Sequence, residues 1–423
     1  MAEPLSVEST PRLASVTQKV SFFFALLYLV AEYMRPQTMY DSIAWVPFGQ
    51  LAILGLLAAV IIEGRARFNA NRLNGLLLVY LGWFAIAYFD AVRQELALQP
   101  LIDFSKWVVI YFLLINTINS RAKLYYFLLL LLLLNFKYAQ YATRLWVAAG
   151  FYSDPRGLNA GGGIGSSFFQ NPNDFGIAMS TVLGLAYAMI AGDKSRWLGF
   201  IRAQWFHVAN AAVVLLAILA SSSRGAALGA AAVAMGIWAK SDKKIAALVL
   251  LAVIAVATVS LIPDDNWERF RNMGTEQDES GQSRLSLWSA GIRMALENPL
   301  TGVGPNNFVF VNTQFYMSIY AVVQHNVFIQ AASELGFPGL FLFVLMIVAA
   351  FRNHRETRRI LAEHKVHDPF LTAMSHGLDF SLFAFCVNGF FITVLYYPFV
   401  WMLFILGVGL RDVALQRAAE TTG

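Results

Sequence analysis

Residues 124–134 read LYYFLLLLLLL, an apolar and aromatic run without a single charge. The run continues, with more polar residues, to about residue 148. An α-helix needs about 20 mostly apolar residues to cross a hydrocarbon core about 30 Å thick. This stretch therefore predicts a membrane-spanning helix at about 124–148, from which the search for further spans extends in both directions.

The composition of the whole chain agrees with a membrane protein, as the predicted helix at about 124–148 indicates. Of its 423 residues, 58% are hydrophobic and only 13% are charged, and the mean hydropathy is +0.56. Soluble domains carry about 25% charged residues, so an ordinary soluble enzyme is excluded. Aromatic residues make up 14%, which excludes a disordered chain and suits rings that anchor helices at membrane interfaces. The single cysteine, Cys386, excludes an intrachain disulfide and a cysteine-based metal site.

Similar runs recur along the chain and predict about twelve membrane-spanning helices, so the fold class is all-α and polytopic. The most N-terminal run, at 19–34, is interpreted as a signal anchor, because Arg35 and eleven further spans follow it. The predicted spans are 19–34, 43–62, 73–90, 101–118, 124–148, 173–191, 204–221, 225–239, 245–262, 337–351, 376–395 and 398–411.

Positive charge predicts the orientation of these spans. In a strictly alternating arrangement, 20 of the 31 lysines and arginines fall on one side. Lysine and arginine in short loops mark the cytoplasmic side, so both termini are predicted to be cytoplasmic. The net charge of +5 is therefore interpreted as a signal of orientation, and no nucleic-acid partner is predicted.

This arrangement leaves two long segments outside, at about 149–172 and 263–336. In the second segment, Leu285, Trp288 and Ile292 recur at helical spacing and predict an amphipathic helix at about 283–297. A second short helix is predicted at 325–335. The predicted division is a cytoplasmic tail at 1–18, spans one to nine at 19–262, an outer loop with catalytic residues at 263–336, spans ten to twelve at 337–411 and a cytoplasmic tail at 412–423.

His325 is the strongest candidate for chemistry. It alone among six histidines is predicted to lie outside, and an imidazole that titrates near pH 6.5 can accept a proton from a hydroxyl. The alternative is a surface histidine that caps the short helix. Asn326 directly follows it and is predicted to bind substrate.

Several arginines on the same side are candidates for binding phosphate, because a guanidinium forms forked, charge-assisted hydrogen bonds. Arg284 begins the amphipathic helix, and Arg224 follows three serines at 221–223. Arg144 and Arg156 are predicted substrate-binding residues from their charge and side alone. For Arg144, the alternative is a side chain that extends to the nearer headgroup layer. Gly225 and Gly229 are interpreted as a helix-packing pair that fixes Arg224.

Sequence motifs for binding a nucleotide or a metal ion are missing. The glycine-rich run at 161–165 lacks the Gly-Lys-Ser/Thr of a nucleotide-binding loop. No histidine or acidic cluster with metal-ligand spacing is found in the outer segments. The sequence therefore predicts no cofactor and a metal-independent reaction.

Four segments together resemble the superfamily of O-antigen ligases and Wzy O-antigen polymerases, most clearly over about 165–350. The order of these segments and their predicted placement outside support the resemblance. They are Asn171-Pro172-Asn173, Ser221-Ser222-Ser223-Arg224-Gly225-Ala226, Ser283-Arg284-Leu285-Ser286-Leu287-Trp288 with Gly302-Val303-Gly304, and His325-Asn326 with Glu334-Leu335-Gly336.

The resemblance implies a membrane glycosyltransferase of the GT-C kind in the bacterial inner membrane, with its active site on the periplasmic face. It implies a donor glycan on undecaprenyl diphosphate, and an acceptor that is either the lipid A core or another lipid-linked glycan. His325 resembles the functional histidine of the family, Arg284 its periplasmic-loop arginine and Arg224 the arginine of its serine-rich motif. Single displacement with His325 as base would invert the anomeric centre.

Ligase and polymerase share these motifs, so the sequence leaves that choice open, together with the oligomeric state. The competing class is a transporter or a flippase of lipid-linked glycans, because twelve spans are also common in carriers. Carriers tend to show internal repeats and polar residues near the bilayer centre, and neither is clear here. A membrane scaffold is the third alternative.

Overall fold

The computed structural model describes residues 20–64, 70–151, 169, 172–197, 199–245, 248, 279–316, 318 and 321–422, and they form an almost entirely helical protein. Arg196–Trp197 and Ile201–Arg202 form a two-residue antiparallel pair. The helices in chain order are Val20–Met34, Pro36–Met39, Phe48–Ile62, Arg72–Phe89, Gln94–Thr117, Arg121–Ala148, Pro172–Gly192, Ala203–Ala220, Arg224–Lys240, Glu279–Glu297, Phe308–Gln314, Val327–Glu363, Pro369–Asn388 and Pro398–Thr422.

The all-α membrane fold predicted from the sequence is confirmed. Within the described ranges, eight helices are long and apolar enough to cross a bilayer, and Phe48–Ile62 is a shorter apolar helix. Eleven of the twelve predicted spans overlap a helix. Most of the predicted span at 245–262 lies outside the described residues, as do most of the predicted outer segment at 149–172 and the N-terminal tail.

Polar contacts join helix ends into two groups, as an alternating arrangement requires. At one end, Nε of Arg121 lies 2.5 Å from Oδ2 of Asp368, and Nε of Arg411 lies 2.9 Å from Oε2 of Glu356. All four of these residues were predicted to lie on the cytoplasmic side. At the other end, the loops before residue 94 and after residue 298 pair through backbone and side-chain hydrogen bonds.

The outer amphipathic helix (Glu279–Glu297) and the short helix after His325 were both predicted correctly. The short helix begins at Val327 and is continuous with a long helix that ends at Glu363, apart from a break at Gly336. Gly336 has φ 70° and ψ −180°, a conformation that only glycine adopts readily. We call Val327–Glu363 the kinked helix.

The predicted span at 376–395 is wrong at both ends. The helix runs instead from Pro369 to Asn388, and residues 389–397 are not helical. We call residues 389–397 the outer connection. Its sequence, GFFITVLYY, is apolar enough to read as helix. Its backbone is instead irregular, and the kinked helix forms two hydrogen bonds with it.

The glycine pair at Gly225 and Gly229 packs helices together, as predicted. A side chain at Gly225 would contact Phe391 of the outer connection, and one at Gly229 would contact Asn388 and Ser180. Helix Arg224–Lys240 therefore lies close to helices Pro172–Gly192 and Pro369–Asn388. This packing holds the N-terminal end of that helix, where Arg224 is the first residue, beside the outer connection.

Candidate active site

The outer connection lies against the first turns of the kinked helix. The backbone N–H of Val327 donates to the carbonyl of Gly389 at 2.7 Å, and the N–H of Leu395 donates to Oε1 of Gln330 at 3.2 Å. The first of these bonds satisfies backbone groups that two helix ends leave free. Together the two bonds fix the outer connection relative to the residues that precede Val327.

His325 lies where these two segments meet. Its backbone N–H donates to Oγ1 of Thr393 in the outer connection at 2.8 Å, and its φ of 51° places it in the left-handed region. The His325 side chain is half-buried. A non-glycine residue in this region costs free energy and persists only where its surroundings hold it. Thr393 is one such restraint, and no sequence motif marks it.

Asn326 has a structural role. Its side-chain Oδ1 accepts hydrogen bonds from the backbone N–H groups of Phe328 and Ile329, both at 3.0 Å, and so caps the kinked helix. Only 2% of Asn326 is exposed. Asn326 therefore caps the kinked helix. The alternative interpretation, in which His325 caps this helix, is wrong. Substrate binding by Asn326 stays a prediction.

Arg284 is brought close to His325 by the outer amphipathic helix. One turn after Arg284, the indole N–H of Trp288 donates to the backbone carbonyl of Gln324 at 3.0 Å. Burial lowers the pKa of His325, and the positive charge of Arg284 lowers it further. A lowered pKa keeps the imidazole neutral near pH 7, which is the form that accepts a proton.

Glu334 links four parts of the site, although the sequence analysis noted it only as part of a motif. Its carboxylate accepts hydrogen bonds from the Tyr396 hydroxyl at 2.5 Å and from the Asn306 backbone N–H at 3.0 Å. Nε2 of Gln324, the residue before His325, also donates to it at 3.4 Å. Glu334 therefore joins the outer connection, the turn after the outer amphipathic helix and the segment that carries His325.

Arg224 approaches the same region from another helix. Ser223 caps that helix by accepting from the backbone N–H of Ala226 at 3.3 Å, which places the half-buried Arg224 in its first turn. The next residue, Gly225, packs against Phe391, two positions before Thr393 in the outer connection. The serines of the motif thus shape the turn, and the arginine adds positive charge near the helix N-terminus.

The remaining predicted binding residues are less closely tied to His325. Arg144 is exposed in the last two turns of helix Arg121–Ala148, and no contact described by the structure joins it to His325 or Arg284. Arg156 lies outside the described residues. Both assignments stay predictions.

A second polar group, which no sequence motif marks, lies at this end. Burial raises the pKa of the Tyr397 hydroxyl, the negative charge of Asp174 raises it further, and the positive charge of Arg35 opposes both effects. Asp174 and Arg35 therefore each lie near Tyr397. The signal was weak, because Arg35 is one of many basic residues beside a span and Asp174 is typical of a helix start.

Within the described ranges, no group of three or more histidine, cysteine, aspartate or glutamate side chains could hold a metal ion. Metal independence stays a prediction. The described residues do combine an imidazole whose pKa is lowered with at least one nearby guanidinium in a half-buried setting. Such a pair can accept a proton from a hydroxyl and bind a developing anion.

Comparisons with known proteins cover the same part of the chain. A family model described as O-Antigen ligase matches residues 209–344. The Exopolysaccharide production protein ExoQ of Rhizobium meliloti (strain 1021) is 28% identical over 218 residues. That match covers 47% of this chain and 48% of the relative, so the chain spans about half the length of the curated relative that it matches. The residues matched by the family model include Arg224, Arg284 and His325. These comparisons confirm the resemblance of this chain to the superfamily of O-antigen ligases and Wzy polymerases.

Proposed function

We propose that this protein is a membrane glycosyltransferase of the O-antigen ligase kind, which moves a glycan from undecaprenyl diphosphate to a sugar hydroxyl of the lipid A core. The observation that carries the proposal is the proximity of Arg284 to His325 within the region that the family model matches. The reaction takes place at the outer ends of the helices, on the periplasmic face of the inner membrane.

In the proposed reaction, the acceptor hydroxyl oxygen attacks the anomeric carbon of the donor glycan. The new carbon–oxygen bond forms as the bond from this carbon to the diphosphate breaks, and that electron pair goes to the diphosphate oxygen. The hydroxyl proton goes to the neutral imidazole of His325, whose lowered pKa supports the role of base. Attack opposite the leaving group inverts the anomeric centre.

The arginines stabilise the leaving diphosphate. Charge-assisted hydrogen bonds contribute about 1.5–3 kcal/mol each, and they act most strongly where charge develops in the transition state. We assign this role to Arg284, with Arg224 as a second binding residue from the adjacent helix. Arg144 and Arg156 are retained as weaker candidates.

A polymerase is the second candidate, and a specific observation favours it. The matched relative is named for exopolysaccharide production, whereas the matched family model is described as O-Antigen ligase. In a polymerase, the acceptor is another lipid-linked repeat unit, and the same histidine and arginine act on it. The two candidates differ in the product and share the chemistry at the anomeric carbon.

The test uses the purified full chain in lipid nanodiscs with an undecaprenyl-diphosphate-linked oligosaccharide. Lipid A core and the donor itself are offered as acceptors, and the products are identified by mass. We expect one glycan joined to the lipid A core, and a ladder of longer lipid-linked chains would instead assign a polymerase. If the protein, reconstituted instead in sealed vesicles, moves the lipid-linked glycan across the membrane and forms no glycosidic bond, it is a carrier and not an enzyme.

The residue assignments are tested in the same assay. General-base catalysis contributes about 10²–10⁴-fold, so His325→Ala should lower the transfer rate at least about 100-fold, and Arg284→Ala should do the same. His364→Ala and Arg355→Ala are matched controls, because both positions lie beyond the other end of the kinked helix's membrane span. Full activity in His325→Ala or Arg284→Ala would remove that residue from the mechanism.

A further inference from the structure

The outer amphipathic helix carries a row of exposed apolar side chains. Leu285 is 65% exposed, Ile292 51% and Leu296 66%. With 3.6 residues per turn these three positions fall within about 40° of one another around the helix. Leu287 and Met294 lie on the opposite side and are buried against Val303 and Phe308. One side of the helix is thus packed on the protein, and the exposed row does not belong to that packing.

The exposed part of this helix has two edges of different character. Beside the apolar row lie Ser286, Arg293 and Glu297, which are also exposed and fall within about 40° of one another. We call the row of Leu285, Ile292 and Leu296 the apolar edge, and this second row the polar edge. A helix that lies in a membrane–water interface needs such a division, because one side meets acyl chains and the other meets water.

The apolar edge leads into a surface that a spanning helix presents to lipid. Just after the outer amphipathic helix, the carbonyl of Pro299 accepts from the backbone N–H of Phe337 at 2.9 Å, and the next residue, Leu300, is exposed. Phe337 opens the apolar, membrane-spanning part of the kinked helix. Phe341 and Val344 follow it at helical spacing and are exposed on the same face.

We propose that the outer amphipathic helix lies in the membrane–water interface, with its apolar edge among the acyl chains of the outer leaflet and its polar edge in water. The occupant of the apolar edge is bilayer lipid, because the edge continues into the lipid-facing surface of the kinked helix. A second copy of the chain that covered this helix would bury the charged polar edge together with the apolar one. Removing the charges of Arg293 and Glu297 from water in that way is unfavourable.

This placement sets the depth of Arg284. Arg284 directly precedes Leu285, so anchoring the apolar edge holds the guanidinium near the level of the lipid headgroups. The diphosphate of a lipid-linked donor lies at that same level, because its lipid is held in the bilayer. This consequence rests on the proposed function, whereas the position of the helix in the interface does not.

Fluorescence quenching tests the proposal without any transfer assay. In a Cys386→Ala background, a single cysteine is placed at Leu285, Ile292 or Leu296 and labelled with an environment-sensitive nitrobenzoxadiazole dye. Ser286→Cys and Glu297→Cys, on the polar edge of the same helix, are the matched controls. The labelled full chain is reconstituted in phosphatidylcholine nanodiscs, which contain doxyl-labelled lipid or are titrated with iodide.

We expect doxyl lipid to quench the dye on the apolar edge at least about twofold more than the dye on the polar edge, and iodide to show the opposite order. Equal quenching by iodide at all five positions would place the helix in water and overturn the proposal. Protection of the apolar edge from both quenchers would mean that protein covers it, which also overturns the proposal. Neither outcome depends on glycosyl transfer, so failure of this proposal is distinguishable from failure of the proposed function.

Discussion

The indole N–H of Trp288 donates a hydrogen bond to the backbone carbonyl of Gln324 at 3.0 Å. Trp288 lies one turn after Arg284 in the outer amphipathic helix, and Gln324 directly precedes His325. This contact between two segments of the outer loop therefore helps to hold the guanidinium and the imidazole near each other. This geometry explains why the charge of Arg284 lowers the pKa of His325.

The pH dependence of transfer should report this pair. His325 must be neutral to accept a proton, and both burial and Arg284 lower its pKa below the ordinary value of about 6.5. Activity should therefore fall only as the pH drops below about 6.5. Arg284→Gln removes one of the two causes, so the acidic limb of the kcat/KM profile should move to higher pH, measured on the residual activity.

Two matched variants make this shift specific. Arg284→Lys keeps the positive charge, so its acidic limb should lie close to that of the unaltered protein. Arg293→Gln changes another arginine of the same helix, whose guanidinium carbon lies 5.4 Å from the centre of the Tyr316 ring. The acidic limb of the Arg293→Gln profile should not move. An unchanged limb in Arg284→Gln would show that His325 does not titrate as the base.

Thr393 should act as a positioning residue for His325. Thr393→Val keeps the shape but removes the acceptor of the His325 backbone N–H, which costs about 1–3 kcal/mol where the donor is left unsatisfied. Because His325 has φ 51°, losing this restraint should displace the imidazole. We expect kcat to fall about tenfold or more with little change in KM, measured by initial rates of transfer.

Rescue distinguishes positioning from a general loss of structure. Thr393→Ser restores a hydroxyl acceptor and should recover most of kcat. Thr421→Val, which removes a hydroxyl from the last helix at the opposite end of the molecule, should leave kcat unchanged. A Thr393→Ser variant as slow as Thr393→Val would contradict the proposed role of the hydroxyl.

Much of the fold could be predicted because its signals are local. Apolar runs predicted eleven of the described helices, and the predicted end of the short helix at residue 335 matches the break at Gly336. The outer connection could not be predicted in this way, because GFFITVLYY is as apolar as a span. Its irregular backbone depends on hydrogen bonds with Val327 and Gln330, which are more than 60 positions away in sequence.

The candidate site divides along the same line. His325 and Arg284 were predicted from motifs, and their proximity follows from helix packing that no local pattern encodes. Thr393 and Tyr396 carry no motif, and their contacts with His325 and Glu334 exist only in the folded chain. Conversely, Asn326 stood beside His325 in the motif and is a helix cap, which sequence proximity alone did not reveal.

Glu334 should be important for the stability of the site. Glu334→Ala removes the acceptor of the Tyr396 hydroxyl, the Asn306 backbone N–H and Gln324. Each donor left unsatisfied in a buried setting costs about 1–3 kcal/mol. We expect a Tm several degrees lower in nanodiscs, together with loss of transfer. Tyr396→Phe removes one of these bonds and should lower the Tm by less, and an equal or larger effect of Tyr396→Phe would contradict this account.

Gly336 should tolerate no side chain, because two separate constraints act on it. Its φ of 70° with ψ −180° disfavours any residue with a Cβ, at a cost of about 1–3 kcal/mol. An added Cβ would also collide with the backbone carbonyl of Leu300, at the turn that follows the outer amphipathic helix. Gly336→Ala should therefore straighten or displace the break and separate that turn from Phe337, which lowers both the Tm and the transfer rate.

Gly82→Ala is the matched control, because Gly82 lies inside helix Arg72–Phe89 with no atom within 4 Å of an added Cβ. Alanine there should leave the Tm unchanged or raise it slightly, since alanine favours helix by about 1 kcal/mol over glycine. Thermal unfolding in nanodiscs measures the Tm of both variants and of the unaltered protein. A Tm of Gly336→Ala equal to that of Gly82→Ala would mean that the break at Gly336 is not required.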